Sequence, residues 1–417
     1  MSKHPLSLWA PPSKSVTHRA FILGALSGDC TVENPLLGAD CRATLAAVEQ
    51  LGAVARLDTD RVLFSGFDPQ PSTDPIDCEN SGTSLRLLSA LAARFDFAVS
   101  LTGDDSLRRR PNGPLLTALA GLGVRVTSHD GRAPLSVQGP LQAGEVVIDG
   151  SVSSQFTSGL LLALAQTQGP SRVVLTPPVA SRPYLDLSQE VAAAFGLTWS
   201  VHPHEGGLRF EIPGGQRPRC GHFVVEGDWS GAAFPLVAAA IRQRPLKLLG
   251  LDPKSRQGDR AIVDIMTRFG QTFRWDDKAL TLTPGALKSA GFVDLEATPD
   301  LFPALCALAA VTPGETTLGG APSLRHKECD RIAAMAQGLQ RLGITVKELS
   351  DGLTIRGGDL GQGSIESFGD HRVHMAFALL HGVGGGQIEV DHPNCVAVSY
   401  PGFHADLAVI VDAASAP

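Results

Sequence analysis

Aromatic side chains make up only 6% of this 417-residue chain, too few to build the stacking platforms that grip nucleic-acid bases. A basic field is missing as well. Forty-two acidic residues outnumber 35 basic ones, and the net charge of −7 argues against a general binder of nucleic acid or of a membrane surface. The seven cysteines, Cys30, Cys41, Cys78, Cys220, Cys306, Cys329 and Cys395, include no C-x-x-C pair, which predicts reduced thiols in a cytosolic protein and gives no support to a metal site. The twelve histidines are scattered, and the close pairs His202/His204 and His371/His374 are expected to be solvated or structural rather than metal ligands. No apolar run approaches the ~20 residues needed to span a bilayer, and Met1–Leu6 lacks the apolar core of a signal peptide, so a soluble, cytoplasmic protein is expected. A Walker-type Gly-Lys-Ser/Thr is absent. The run Gly384-Gly385-Gly386 follows a helix pattern and precedes the strand-like Gln387–Val390, the reverse of the dinucleotide-binding order.

What is present is repetition. A short polar turn followed by a helix rich in alanine and leucine recurs six times, at roughly 70-residue spacing. The copies open at Ser13-Lys14-Ser15, Asn80-Ser81-Gly82-Thr83, Ser151–Gln155, Glu226-Gly227-Asp228, Thr298-Pro299-Asp300 and Phe368–Arg372. A helix start exposes unpaired N–H groups and the positive end of the macrodipole, so phosphate and carboxylate lead the candidate ligands. After each such helix come a strand-like stretch and a second helix that stops at a glycine, as in Asp40–Gly52, Pro114–Gly123, Leu185–Gly196, Asp259–Gly270 and Asp330–Gly343. Alternating runs such as Val124–Thr127 and Ile344–Lys347 follow as strands. Each repeat therefore reads as a β-α-β-α-β-β module.

Six modules exceed one core, which divides them three and three with a boundary near Glu226. The expected domains are 13–226, and 1–12 together with 227–417. The strand Leu6–Ala10 and the stiff Pro11-Pro12 suggest a return of the N-terminus to the C-terminal half, and a double crossover of that kind makes a hinge.

Chemistry concentrates at the turns. Ser13–Arg19 places a lysine, hydroxyls and an arginine in the first turns of a helix, with Ser15 and Arg19 on one face, which suits either a phosphate or an ordinary cap. Ser153-Ser154-Gln155 repeats the pattern. Arginine's planar fork grips carboxylate or phosphate with two bonds, which singles out Arg108-Arg109-Arg110, Arg331 and Arg372, at least one of the first three being simply solvated. Lys327–Arg331 also fits a salt-bridged helix start, and Asp300 after Pro299 fits an N-cap.

Taken in order, Pro12–Ser15 with Arg19, Asn80–Thr83 with Arg86, Arg110-Pro111, Asp149–Phe156, Ser181–Tyr184, Glu226–Asp228, Pro299-Asp300, Lys327–Arg331 and Asp370–Arg372 resemble the 5-enolpyruvylshikimate-3-phosphate synthases, the 3-phosphoshikimate 1-carboxyvinyltransferases. The likeness runs over essentially the whole chain. It implies an α/β fold of two similar domains, each of three β-α-β-α-β-β repeats in an inside-out α/β barrel. It also implies a monomer that transfers the enolpyruvyl group of phosphoenolpyruvate to the 5-hydroxyl of shikimate 3-phosphate, without metal or organic cofactor. By the match, shikimate 3-phosphate meets Lys14, Ser15, Arg19, Ser153, Ser154, Gln155, Ser181, Tyr184, Asp300, Ser323 and Lys327. Phosphoenolpyruvate meets Lys14, Gly82, Arg110, Gln155, Arg331 and Arg372. Asp300 and Glu328 resemble the base and the acid of the addition-elimination, with Lys14 relaying protons.

Two positions depart from the family pattern. Ser323 stands where many members have asparagine, and Val398 where some have a lysine aimed at phosphoenolpyruvate, so that either another residue such as Arg108 or Arg325 supplies the cation or affinity for phosphoenolpyruvate and inhibitors resembling it differs. A sister enzyme that transfers enolpyruvyl to a UDP-sugar typically carries a reactive cysteine in the loop matching Gly103–Pro114, where this chain has none. A catalytically silent phosphosugar binder on the same scaffold would have lost the acid or the base, and both are present.

Overall fold

A computed structural model of the chain describes residues 5–412. The chain divides into two compact units: one runs from Pro12 to Val225, and the other joins the segment ending at Pro11 to the chain from Glu226 onward.

Within each unit a module builds its own sheet, and five modules give four strands each. In the third module Glu145–Asp149 pairs in parallel with Ser171–Thr176, as the intervening helix Ser154–Leu164 requires, because parallel neighbours need a crossover. Ser171–Thr176 then pairs antiparallel with Gly207–Ile212, whose hairpin partner Ser200–His204 takes the sheet edge. The hairpin turn Glu205-Gly206 has positive φ at both residues, the type I′ geometry that matches strand twist.

Two sheets borrow their first strand from far away in sequence. His222–Val224, at the end of the first unit, pairs in parallel with Cys30–Glu33 of its first module. Leu6–Trp9 does the same for the second unit, pairing in parallel with Leu246–Leu249. The sixth module departs from the other five. Gly363–Ile365 and Ile388–Val390 form a two-stranded parallel sheet, and the hairpin is replaced by the 3-10 turn Pro393–Val398 and the helix Phe403–Asp412. The local reason is His392-Pro393: a left-handed His392 followed by a proline without an N–H cannot extend a ladder.

The cores are helical. In the first unit Lys14–Ser27, Gly82–Ala92 and Ser154–Leu164 are buried along most of their lengths, and Gly159 lets the last two approach: a Cβ there would stand 3.0 Å from Ala90 Cβ and 3.1 Å from the Arg86 carbonyl. In the second unit Trp229–Ile241, Phe302–Ala310 and His371–Ala378 play this part, the first two apolar around most of their circumference, as buried helices are. The sheets lie outside these helices, and among the described residues no sheet closes on itself. The stopping glycines behave as their sequence positions require. Gly52, at φ +107°, is one such left-handed stop, and a Cβ there would meet the Asp68 carbonyl oxygen at 1.9 Å.

Candidate active site

In the first unit three helix starts carry the polar residues. Ser13, Ser81 and Ser153 each cap their helix, accepting from the backbone N–H of Val16, Ser84 and Gln155 respectively. Capping does not exhaust the Ser153 hydroxyl, which lies 3.4 Å from an Arg86 Nη1 that also donates to Gln155 Oε1 at 2.7 Å. Gln155 in turn donates to Thr83 Oγ1 at 2.9 Å, tying the third helix start to the second. Arg86 is held from behind by Asn112 Oδ1 and by the ring of Phe156, 4.9 Å from its guanidinium carbon. Arg110 is buried beside it, donating to the Asn80 carbonyl at 3.1 Å and to Asn80 Oδ1 at 2.7 Å. Gly82 sits between the two guanidinium groups: a Cβ there would be 3.3 Å from Arg110 Nη1 and 3.6 Å from Arg86 Nη1. Two guanidinium groups beside a serine-capped helix N-terminus, around a missing side chain, have the charge and the space to suit an anion.

Lys14 and Arg19 sit on the first helix and differ in their partners. Lys14 Nζ is 2.8 Å from Asp40 Oδ2, with both side chains largely buried. The Asp40 carbonyl accepts from Ser84 Oγ, which links this pair to the second helix start. Among the described residues Arg19 has only neutral hydrogen-bond partners: the Ser188 hydroxyl at 2.9 Å, the Ser15 carbonyl at 2.7 Å, and Ser158 Oγ and the Tyr184 carbonyl at 3.5 Å. Burial pushes its pKa down to about 10, which still leaves a full positive charge near neutral pH. Ser181 is buried with φ +52°, a conformation rare for a side-chain-bearing residue, and its carbonyl accepts from the Tyr184 N–H. Ser154 is buried at its helix start.

The second unit gathers acids around one arginine. Arg331, at the N-terminus of the helix Arg331–Arg341, is 1% exposed. It reaches Asp370 Oδ2 at 2.7 Å through Nε, Asp300 Oδ1 at 3.0 Å through Nη1 and Glu328 Oε2 at 2.7 Å through Nη2. Burial alone would lower its pKa, but the charges of Asp370, Glu328 and Asp300 raise it well above the ordinary arginine value. Asp300 also meets Arg372 Nη2 at 3.2 Å and Lys327 Nζ at 3.4 Å. Asp370 caps the helix His371–Ala378, accepting from the N–H groups of Arg372 and Val373.

The fifth helix start is unlike the other five. Pro299–Leu301 form a 3-10 turn with no side-chain cap, and the Asp300 carboxylate is spent on cations instead. The N-cap alternative for Asp300 is thereby corrected: a carboxylate beside three cations gains more than one bonded to a backbone N–H.

The whole chain can be set against known proteins at this point. Residues 7–407 match the family EPSP synthase (3-phosphoshikimate 1-carboxyvinyltransferase). The chain belongs to that family. A 3-phosphoshikimate 1-carboxyvinyltransferase of Methanococcoides burtonii is 41% identical over 95% of this chain and 93% of its own, and one of Methanothrix thermoacetophila is 43% identical over 95% and 94%. The solved EPSP synthase of Acinetobacter baumannii superposes with a TM-score of 0.77 at 29% identity, covering 97% of this chain and 94% of that one. As a member of this family, the chain is a transferase of the shikimate pathway.

Of the residues expected in the site, Gly82, Arg110, Ser153 and Gln155 come together around Arg86, while Asp300, Lys327, Glu328, Arg331 and Arg372 form one ion cluster. Ser323 lies half-buried in the 3-10 turn Pro322–His326 that leads to Lys327. Neither arginine suggested as a replacement for the cation missing at Val398 is uncommitted. Arg325 is bound to Asp330 at 2.8 Å and Glu348 at 3.0 Å, and the half-exposed Arg108 lies 3.8 Å from Asp105. Sequence reasoning quoted Arg86 and Asp370 within its motifs but gave them no role, and it did not single out Asp40. Their partners are 67 and 69, 39 and 26 residues away, and no local pattern announces such pairings.

Proposed function

We propose that the chain joins phosphoenolpyruvate to the 5-hydroxyl of shikimate 3-phosphate, with Asp300 as the base and Glu328 as the acid. The observation that carries this assignment is the ion cluster: the two carboxylates share the single buried guanidinium of Arg331, and Asp300 gives up helix capping to remain there. Asp300 takes the proton of the attacking 5-hydroxyl, the oxygen bonds to C2 of phosphoenolpyruvate, and Glu328 delivers a proton to the methylene carbon. In the elimination Glu328 takes back a methyl proton, the C–O bond to phosphate breaks with the proton held by Asp300 passing to the leaving phosphate, and the enol ether forms. Proton uptake by Asp300 would be opposed by its three cations while it is unliganded. Anionic substrates that draw Arg372 and Lys327 toward themselves relieve that opposition and make Asp300 the better base.

The roles at the first unit follow from charge and donor chemistry. Lys14, Ser15, Arg19, Ser153, Ser154, Gln155, Ser181 and Tyr184 would hold shikimate 3-phosphate, hydroxyls and cations meeting its phosphate. Lys14, Gly82, Arg110 and Gln155 would hold phosphoenolpyruvate, with Arg331 and Arg372 completing its surround. Arg19 supports this reading, since a buried cation with only neutral partners among the described residues is a charge held ready for an anion. Oriented donors around developing negative charge are the largest single source of rate in such a site.

Phosphate release from shikimate 3-phosphate plus phosphoenolpyruvate tests the assignment directly. The wild-type chain is expected to turn over, and Asp300→Ala and Glu328→Ala to lose at least about 100-fold in kcat. Release supported by UDP-N-acetylglucosamine and not by shikimate 3-phosphate would assign the chain to the sister reaction instead.

A further inference from the structure

One buried carboxyl near Asp300 has no part in the chemistry above. Asp259 stands in the 3-10 turn Gly258–Ala261 of the second unit and is 2% exposed. Its Oδ2 accepts a hydrogen bond from the Ser230 hydroxyl, whereas its Oδ1 is buried with no hydrogen-bond partner among the described residues. A buried carboxylate anion with a single hydrogen bond is costly, and a neutral acid in the same place is far less so. The charges that act on it are those of Asp300 in the turn Pro299–Leu301, Arg372 in helix His371–Ala378 and Asp228 at the start of helix Trp229–Ile241, the helix that also supplies its hydrogen-bond partner Ser230. Burial first, and then the charge of Asp300, push its pKa up to about 7, while Ser230 and Arg372 act in the opposite direction. Asp259 is therefore poised to change charge beside both the base and a substrate-facing cation.

We propose that Asp259 is a positioning residue of the proton-transfer centre, a neutral acid in the competent enzyme, whose ionisation adds a negative charge beside Arg372 and weakens capture of phosphoenolpyruvate. The proposal rests on the reading of Arg372 as a contact of that substrate. The sign follows from charge: above the transition Asp259 adds one negative charge near Arg372 that it lacks below it, so less of the Arg372 field reaches an incoming anion. The effect carried through Arg372 is on KM, because a saturating substrate overcomes weakened capture, whereas the reciprocal push on Asp300 acts on kcat.

The test is kcat/KM for phosphoenolpyruvate between about pH 6 and about pH 8.5, measured on the full chain and on Asp259→Asn. Substrate phosphates titrate in both proteins, so the difference between the two profiles isolates the side chain. The wild-type value is expected to fall about fivefold further across this range than that of Asp259→Asn, with the change in KM. In Ser230→Ala a donor that favours the ionised form is gone, and the step moves to higher pH. Difference infrared spectroscopy supplies a readout without turnover: a protonated-carboxyl band present at the acid end, lost at the alkaline end and missing in Asp259→Asn. Parallel kinetic profiles, or no such band in the wild-type chain, would overturn the proposal. If Asp259→Asn fails to fold, the wild-type infrared titration and the Ser230→Ala shift decide. An Arg372→Lys variant with unchanged KM overturns the Arg372 assignment, and the proposal with it, even where the infrared step is seen.

Discussion

Removing the Asp300 carboxylate takes a partner from Lys327, Arg331 and Arg372 at once, so Asp300→Ala confounds lost chemistry with lost structure. Asp300→Asn keeps the shape and one acceptor. It is expected to lower kcat by about 100-fold or more with a far smaller change in the urea midpoint, separating the two effects. His18 gives a residue-scale prediction of another kind. It is fully buried between Lys14 and Arg19 on the first helix, its Nδ1 paired with Thr44 Oγ1 at 2.7 Å and its Nε2 without a partner. Burial, then Lys14, then Arg19 hold its pKa well below 6.5. The unfolded chain therefore takes up a proton that the folded one refuses, and stability present above about pH 6.5 is lost as the pH falls below it. In His18→Gln this loss should be shallower, as seen in melting temperature between about pH 5 and 7; slopes as steep as those of the wild type would remove His18 from the account. At this scale the sequence disclosed residue types but not their employment. Asp300 after Pro299 has the local signature of a cap, and only the arrival of Arg331 and Arg372 from 31 and 72 residues away gives it another task.

Helix starts, by contrast, were legible as elements. Serine or aspartate before an Ala/Leu run names the first residue of a helix through local chemistry alone, and Ser13, Ser81, Ser153, Asp228 and Asp370 all cap where their turns are placed. The borrowed first strands follow no such local rule: His222–Val224 must find Cys30–Glu33 across nearly the whole unit. A serine cap and an aspartate cap separate capping from ion pairing. Ser81→Ala removes a cap and should cost about 1 kcal/mol. Asp370→Ala removes a cap and also the shortest partner of buried Arg331, along with Glu328, and should cost about 3–5 kcal/mol. Urea denaturation of the two variants measures the difference, and equal losses would show that Arg331 is satisfied by Asp300 and Glu328 alone. Gly338→Ala tests packing between elements. A Cβ there would stand 2.2 Å from Phe377 Cζ, joining helix Arg331–Arg341 to helix His371–Ala378 at contact distance, and about 1–3 kcal/mol of overpacking is expected.

For the whole molecule, the division of labour between the two units is the controlling fact. The unit from Pro12 to Val225 holds Lys14, Arg19, Arg86, Arg110 and the hydroxyls, and the unit from Glu226 onward holds Asp300, Glu328, Arg331 and Arg372. On the proposed assignment neither set suffices: one lacks an acid and base, the other lacks the phosphate-holding hydroxyls. On that assignment substrate contacts are expected from both units, and an arriving anion supplies the bridging charge. Binding of shikimate 3-phosphate is then expected to draw the units together, so that the radius of gyration in small-angle scattering falls toward the roughly 22 Å of a compact chain of this length. Arg19→Gln, which removes a buried cation from the proposed phosphate site, should require much more substrate for the same contraction. A radius that stays constant at saturating shikimate 3-phosphate, in a chain that nevertheless turns over, would mean that the units already hold their working arrangement before substrate binds.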